Sequence, residues 1–364
     1  MKRVCLIIGA RPNFVKAASL YKAFQEYPEI KLTIVHTGQH YTEVLSDDII
    51  NQIGLKVDVN LNVYSSLYSD LITAIDKYLS KNEFDMMIIL GDVNSSFAGA
   101  YVAKNRGIPL AHVESGLRSG LWYMPEELNR FLIDALSDYL FFTNVSAMGN
   151  VSDEFVDKKK FLVGNIMIDT LVAMESYIKE SEYNGEDYAI ATFHRKENIS
   201  TKESILEILD LLKSIKKIIP VKFYVHPHFT VNMSRFLTST ELEYYRDGNL
   251  MESMYSPISY LDFIKELHHS KFVITDSGGV QEESCIMNKP CLVYRKNTDR
   301  PITILLSGTV VTQNFEKIIE FAKKQNNIPI NKSWDSKAKN HMWGDGQAGK
   351  RIAKIINDIL KEGK

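Results

Sequence analysis

The chain has little of what would tie it to a polyanion, a membrane or an oxidising compartment. Its 43 Lys and Arg nearly balance its 45 Asp and Glu, for a formal charge of -2. No tail carries one sign of charge, so a broad nucleic-acid-binding surface is excluded and any cation that matters must act locally. No apolar run approaches the roughly 18–20 residues that a membrane span needs. Lys2-Arg3 before Val4-Cys5-Leu6-Ile7-Ile8 imitates the start of a signal peptide. That run is short, though, and continues into Gly9-Ala10-Arg11-Pro12 with no cleavage pattern. It reads as a first strand, and the chain as a soluble, cytoplasmic protein with neither nucleic acid nor membrane as a partner. The three cysteines, Cys5, Cys285 and Cys291, cannot all pair, and none stands in C-x-x-C spacing. Reduced, buried thiols are expected. Short-period repeats and low-complexity segments are also lacking.

What is present suffices for about two domains: 364 residues, 45% of them hydrophobic. Apolar strand patterns alternate with helical ones. Strands are predicted at 4–8, 31–37, 86–90, 109–113, 139–143 and 160–163, and helices at 13–27, 41–53, 69–81 and 95–105. A helix over 168–181 and a polar connection at 182–186 follow. The alternation then restarts, with strands at 188–193, 221–225, 272–274 and 290–294 and helices at 204–219 and 259–267. Such alternation makes two doubly wound, mostly parallel α/β domains of Rossmann-like type with a cleft between them. The boundaries read as 1–168, 169–345 and a C-terminal helix within 346–364.

The stretch Thr275-Asp276-Ser277-Gly278-Gly279-Val280-Gln281-Glu282-Glu283 leaves an apolar strand and enters a helix through two glycines. Glycines there allow a ligand close to the backbone, and the N–H groups and dipole of a helix start favour an anion such as a diphosphate. The turn equally fits a plain strand–helix junction in which Ser277 or Asp276 caps the helix. In doubly wound sheets ligands gather beyond the carboxyl ends of the strands. That rule singles out Gly9 to Pro12, Thr37-Gly38-Gln39-His40, Gly91-Asp92-Val93-Asn94 and Glu114 to Arg118, each directly after a strand. Pro125-Glu126-Glu127-Leu128-Asn129-Arg130 opens a helix on which Glu126 and Arg130, four apart, share a face. The second half adds His194-Arg195 and His226-Pro227-His228 at strand ends. The histidine pair on its rigid turn is a poor chelate with no cysteine beside it, so no metal is expected. Ser277 lacks the Gly-x-Ser-x-Gly elbow of a nucleophile. Cations, a Gly-Gly helix start and at least three carboxylates suit a substrate with a diphosphate leaving group and a carbon that exchanges a proton.

These motifs, in this order from residue 9 to about 309, with Thr298-Asp299-Arg300-Pro301 and Gly344-Asp345-Gly346-Gln347-Ala348 after them, resemble the non-hydrolysing UDP-N-acetylglucosamine 2-epimerases. The resemblance implies a glycosyltransferase-B-like fold, a homodimer, and a C-terminal helix that packs back on the first domain. It also implies interconversion of UDP-GlcNAc and UDP-ManNAc with no cofactor, for surface polysaccharide synthesis. Anti elimination of UDP would give a 2-acetamidoglucal, and re-addition would invert carbon two. Motif by motif, Asp92, Glu114 and Glu126 would be the acid/base carboxylates, supported by Arg130 and His194. Arg11, Lys16, Ser277, Gly278, Gly279, Glu283 and Arg300 would bind UDP and sugar, with Phe263 against the uracil. Hydrolysing relatives open instead with Gly-Ser-Arg-Ala-Glu and lack the Pro-Glu-Glu…Asn-Arg helix. Two departures stand out. The loop 119–124 is short, as in relatives acting on diacetamido uronates or 6-deoxy sugars, and Thr42 replaces a glutamine that holds an activating UDP-GlcNAc. A glycosyltransferase of the same fold, or a silent nucleotide-sugar sensor, would not need the three carboxylates.

Overall fold

The computed structural model describes residues 1–39, 54–151, 155–181, 185–330 and 344–362. The helix expected at 41–53, His40 and Thr42 lie outside these, as does most of the 182–186 connection. The chain divides into two compact units, one running to Met174 and rejoined by the C-terminal helix, the other starting at Glu175. The sequence reading had set this division at 168/169.

The first unit is built on a seven-stranded sheet of order β3-β2-β1-β4-β5-β6-β7. Its strands are β1 (Lys2–Ile8), β2 (Ile30–His36), β3 (Val59–Asn60), β4 (Met86–Leu90), β5 (Leu110–Ser115), β6 (Tyr139–Phe142) and β7 (Lys159–Leu162), and every neighbouring pair is parallel. All five residues of β4 are buried, as a strand covered by helices on both faces must be, and this is why it reads as an unbroken apolar run. Helices Tyr68–Leu79 and Asn94–Asn105 pack together, their Leu71, Ile75, Leu79, Ala98 and Val102 sharing a core with Ile7, Met87 and Ile89.

The C-terminal helix Ala348–Glu362 lies against helix Arg11–Phe24. Ile352, Ile356 and Leu360 recur every four residues and are buried, each contributing roughly 1.5–3 kcal/mol. Asp169 caps its start, taking the N–H of Ala348 at 3.1 Å on Oδ1 and that of Gly349 at 2.7 Å on Oδ2.

The second unit holds a six-stranded parallel sheet of order β10-β9-β8-β11-β12-β13. Its strands are β8 (Ala189–Thr192), β9 (Val221–Tyr224), β10 (Met254–Tyr255), β11 (Phe272–Thr275), β12 (Cys291–Val293) and β13 (Val310–Val311). Its core gathers Ile208, Leu212 and Ile215 of helix Lys202–Lys216 with Phe193, Phe223, Phe229 and Phe272. Cys5, Cys285 and Cys291 are all buried and form no disulfide among the described residues.

One expected helix, 168–181, is two. It stops at Ala173, Met174 closes it, and a new helix runs Glu175–Lys179. The first piece is buried in unit one, whereas the second packs on helix Tyr260–His269 of unit two; an apolar period running through the join hides a change of partner. Helices Pro227–Phe236, Ser239–Asp247, Ile302–Ser307 and Phe315–Asn326 were not anticipated, nor were the edge strands β3, β10 and β13. Two-residue strands are too short to show a period.

Candidate active site

In each sheet the winding reverses once, between β1 and β4 in the first unit and between β8 and β11 in the second. Carboxyl ends on either side of such a reversal diverge and leave a crevice, and the singled-out residues collect there.

In the first unit Gly91-Asp92 follow β4 directly, and Glu114 is the last residue but one of β5. Glu114 has φ of +76°, and the pairing of β5 with β6 slips between Val113 and Ser115. A non-glycine residue held there costs on the order of 1–3 kcal/mol, strain that persists where the surroundings impose it and that gathers at functional sites. Lys16, one turn into helix Arg11–Phe24, forms an ion pair with Glu114, their side chains only 8% and 5% exposed. Asp92 Oδ2 accepts from Arg130 Nε at 2.7 Å and meets Nη2 at 2.6 Å. Arg130 also donates to Glu127 Oε2 at 3.1 Å. Glu127 in turn takes the N–H and hydroxyl of Ser119, at 2.8 and 2.9 Å, and the N–H of Gly120 at 3.1 Å. Burial alone would raise the Glu127 carboxyl. The Ser119 and Gly120 bonds and Arg130 bring it below its ordinary value.

Behind these charges lies a buried polar network. Gly91, with φ of +59°, turns the chain under the Lys16–Glu114 pair; a Cβ there would stand 3.4 Å from Lys16 Nζ and 3.5 Å from Glu114 Oε2. Its carbonyl accepts from His112 Nε2 at 3.0 Å, while His112 Nδ1 lies 2.6 Å from Asp134 Oδ1. The other oxygen of Asp134 takes Arg118 Nη2 at 2.8 Å and Gly116 N at 3.1 Å. Burial pushes Asp134 up, and His112 and Arg118 more than reverse it. Glu127, Arg130 and Asp134 all point inward from one helix because three- and seven-residue spacings fall on one face.

In the second unit β11 ends at Thr275, and Asp276 beyond it is fully buried. Its carboxylate accepts from the N–H of His194 at 3.1 Å, of Arg195 at 3.0 Å and from Asn198 Nδ2 at 3.0 Å, and lies 2.9 Å from His194 Nδ1. Against the pull of burial, His194, Asn198 and Arg195 lower it to about 2. His194 itself is 43% exposed, its ring oriented by Asp276. Ser277 caps helix Gly278–Ile286, its hydroxyl accepting from Val280 N at 3.4 Å; the plain capping reading therefore holds for this side chain. Gly278 is needed for space, because a Cβ would fall 2.5 Å from Arg300 Nη1 and 2.7 Å from Cζ. Arg300 is held there by Glu282, 2.6 Å from Nε, and by Asp299. Gln281 pins the same segment through Thr298 at 2.8 Å and Thr303 at 2.5 Å. Glu283 is buried, and with burial it keeps the Tyr260 phenol well above its ordinary value. Phe263 is half-buried and meets Tyr224 edge-on at 5.8 Å.

Unit one thus brings together Lys16, Asp92, Glu114 and Arg130, and unit two His194, Ser277, Gly278, Gly279, Glu283 and Arg300. Arg11 opens its helix with Pro12 in the first turn. Glu126 is half-exposed and makes no hydrogen bond or ion pair among the described residues. The carboxylate found on Arg130 from this helix is Glu127 instead. Sequence reasoning also passed over His112, Asn198 and Asp299 as side chains with work to do, and gave Asp276 no role beyond a helix cap. A polar residue inside an apolar strand, as His112 is, was the available signal. Among the described residues no group of three or more His, Cys, Asp or Glu could hold a metal ion, and no helix is long and apolar enough to cross a membrane.

A family model described as UDP-N-acetylglucosamine 2-epimerase matches residues 22–357. The chain is 32% identical over 372 residues to the UDP-N-acetylglucosamine 2-epimerase of Methanocaldococcus jannaschii, covering 97% of this chain and 98% of that one. It is 31% identical over 366 residues, at 97% and 99% coverage, to the UDP-2,3-diacetamido-2,3-dideoxy-D-glucuronate 2-epimerase of Pseudomonas aeruginosa. A crystal structure of the M. jannaschii UDP-GlcNAc 2-epimerase in complex with UDP-GlcNAc and UDP superposes with a TM-score of 0.87 at 31% identity, over 98% of this chain and 99% of that one. The fold class read from the sequence, two doubly wound α/β domains of glycosyltransferase-B type, is the one found.

Proposed function

Since the chain belongs to the UDP-N-acetylglucosamine 2-epimerase family, we propose that it inverts carbon two of a UDP-linked 2-acetamido sugar without hydrolysing it, taking UDP-GlcNAc to UDP-ManNAc and back. The observation that carries this is the pair of ion pairs at neighbouring strand ends, Lys16 with Glu114 and Asp92 with Arg130. Each places a carboxylate beside a cation, which is what removal of a proton from carbon two and departure of a diphosphate from carbon one together require. In the forward step a carboxylate takes the carbon-two proton, the carbon one–oxygen bond breaks, and UDP leaves with that electron pair to give a 2-acetamidoglucal. Return of a proton to the opposite face, with UDP re-adding at carbon one, gives the epimer.

Asp92, Glu114 and Glu126 are assigned to the proton transfers and Arg130 and His194 to their support. Arg11 and Lys16 serve the diphosphate from the first unit. Ser277, Gly278, Gly279 and Arg300 serve it from the second, where the N–H groups of a helix start suit an anion, and Glu283 and Phe263 take the nucleoside. A homodimer is part of the same reading.

Proton NMR of the protein with UDP-GlcNAc in deuterated water tests it. UDP-ManNAc carrying deuterium at carbon two is the expected result, and free ManNAc with UDP would place the chain with hydrolysing enzymes. Binding of UDP without reaction or exchange would favour a second reading, supported by the short loop 119–124 and the diacetamido-glucuronate relative, in which the sugar is a different UDP-2-acetamido sugar.

A further inference from the structure

Arg295 is a cation of the second-unit turn that the reading above leaves without a role. It follows β12, whose Val293 pairs with Thr275, so it leaves the sheet one strand from Asp276. The preceding carbonyl, of Tyr294, accepts from Asn198 Nδ2 at 3.3 Å, the same amide that holds Asp276. The side chain is 4% exposed. Nη1 donates to Asp299 Oδ1 at 2.9 Å, but Nη2, also buried, has no acceptor among the described residues. A guanidinium keeps five donors and cannot shed its charge, so a buried edge without a partner destabilises the chain and gives nothing back within it.

The surroundings show what such an edge is suited to. Asp299 holds Arg295 on Oδ1 and Arg300 on Oδ2, so two guanidinium groups sit on opposite oxygens of one carboxylate. Arg300 lies on Gly278, beside the first N–H groups of helix Gly278–Ile286, which have no partner within the helix. Arg195 is fixed on the Asp276 carbonyl at 3.0 Å, and both Arg195 and Arg300 bear on Arg295 by charge repulsion. Two guanidinium groups at one helix start, Arg195 and Arg300, with Arg295 tied to Arg300 through Asp299, match an anion with several oxygens, since each presents a planar fork of donors.

We propose that Arg295 is a diphosphate-binding residue, its Nη2 taking an oxygen of the nucleotide's diphosphate next to Gly278, Gly279 and Arg300. The assignment rests on the UDP-sugar reading and explains why a buried donor without a partner is kept: the nucleotide completes it. A lysine would keep the charge and reach Asp299 but would not present the second edge.

Calorimetric titration of UDP and of uridine into the full-length wild-type protein, Arg295→Lys and Arg295→Gln tests this. Both variants should lose about tenfold or more in UDP affinity while uridine affinity stays within about twofold. A crystal structure with UDP should place Nη2 within about 3.2 Å of a phosphate oxygen. Wild-type affinity for UDP in Arg295→Lys would overturn the assignment, as would equal losses for UDP and uridine, which mark a purely structural role, or an Nη2 still without a partner in the complex. A wild-type protein that binds no UDP would instead overturn the nucleotide reading itself, and this assignment with it.

Discussion

At the reversal of the first sheet the groups on show are ionised side chains paired across elements, Lys16 with Glu114 and Arg130 with Asp92. At the reversal of the second they are backbone N–H groups at a helix start with Arg300 against them, and the carboxylate just beyond the strand, Asp276, is fully buried and taken up by His194, Arg195 and Asn198. The same winding thus supports two kinds of site. Side-chain carboxylates can take and return a proton, and these two each stand beside a cation. Backbone donors cannot change charge, so they suit a part of the substrate that is only gripped. The function proposed above uses that contrast, with the proton-transferring carboxylates in the first unit and most of the nucleotide-binding groups in the second.

The sharpest break in the comparison is expected from Asp92→Asn and Glu114→Gln. General acid–base groups contribute about 10²–10⁴-fold, so turnover should fall by about that much while UDP affinity stays within a few-fold. Near-normal turnover in either variant would remove that carboxylate from the proton transfers. The converse comes from Gly278→Ala. Its methyl would occupy space 2.5 Å from Arg300 Nη1, so Arg300 must shift and UDP affinity should fall about tenfold or more, with turnover at saturation changing less. A variant that binds UDP as tightly as the wild type would show that Arg300 does not need its seat on Gly278.

A finer contrast lies within one turn of helix Pro125–Leu136. Glu127 is buried under Arg130, Ser119 and Gly120, and Glu126 beside it is half-exposed. Glu127→Gln should cost about 1–3 kcal/mol of stability by leaving charged and polar partners short, visible as a lower melting temperature. Glu126→Gln should leave the melting temperature within a degree or two, roughly what a surface change does, and act on turnover alone. If the two variants behave alike, adjacency rather than burial governs the helix start.

Strand positions were the most legible part of the sequence, because buried parallel strands such as Met86–Leu90 are unbroken apolar runs and glycines follow them. The strand-end rule pointed to Asp92 and Glu114, and the strand–Gly-Gly–helix join to Ser277 and Gly278, and the structure puts all four at or just beyond strand ends. What the rule does not give is which of two adjacent carboxylates turns inward. Glu126 and Glu127 differ by one residue in a helix, and only the packing of loop 119–120 against that helix selects Glu127 for Arg130. Nor does it give roles that depend on contacts distant in sequence. Asp276 reads as a helix cap, yet its oxygens are spent on residues about 80 positions earlier. The break at Met174 was hidden for a related reason, since an apolar period does not record which core it faces.

Asp276 offers a test that its own charge is structural. Its carboxyl is lowered from the ordinary 3.8 to about 2, so the native state binds its proton less readily than the unfolded chain does. The stabilisation from its ionised form is complete above the unfolded value near 4 and is lost as pH falls through about 2; a shift of this size is worth on the order of 2 kcal/mol. Asp276→Asn removes the charge and turns an amide N–H toward the donors of His194, Arg195 and Asn198. The gap in melting temperature between wild type and variant should therefore be widest at pH 5–6 and narrow steadily from pH 4 toward pH 2, roughly over the window that the two pKa values bracket. A gap that stays constant over that range would mean that the carboxylate is not held by the His194–Asn198 segment in the way the geometry indicates, and that the second unit's turn owes its shape to the Gly278–Arg300 contact alone.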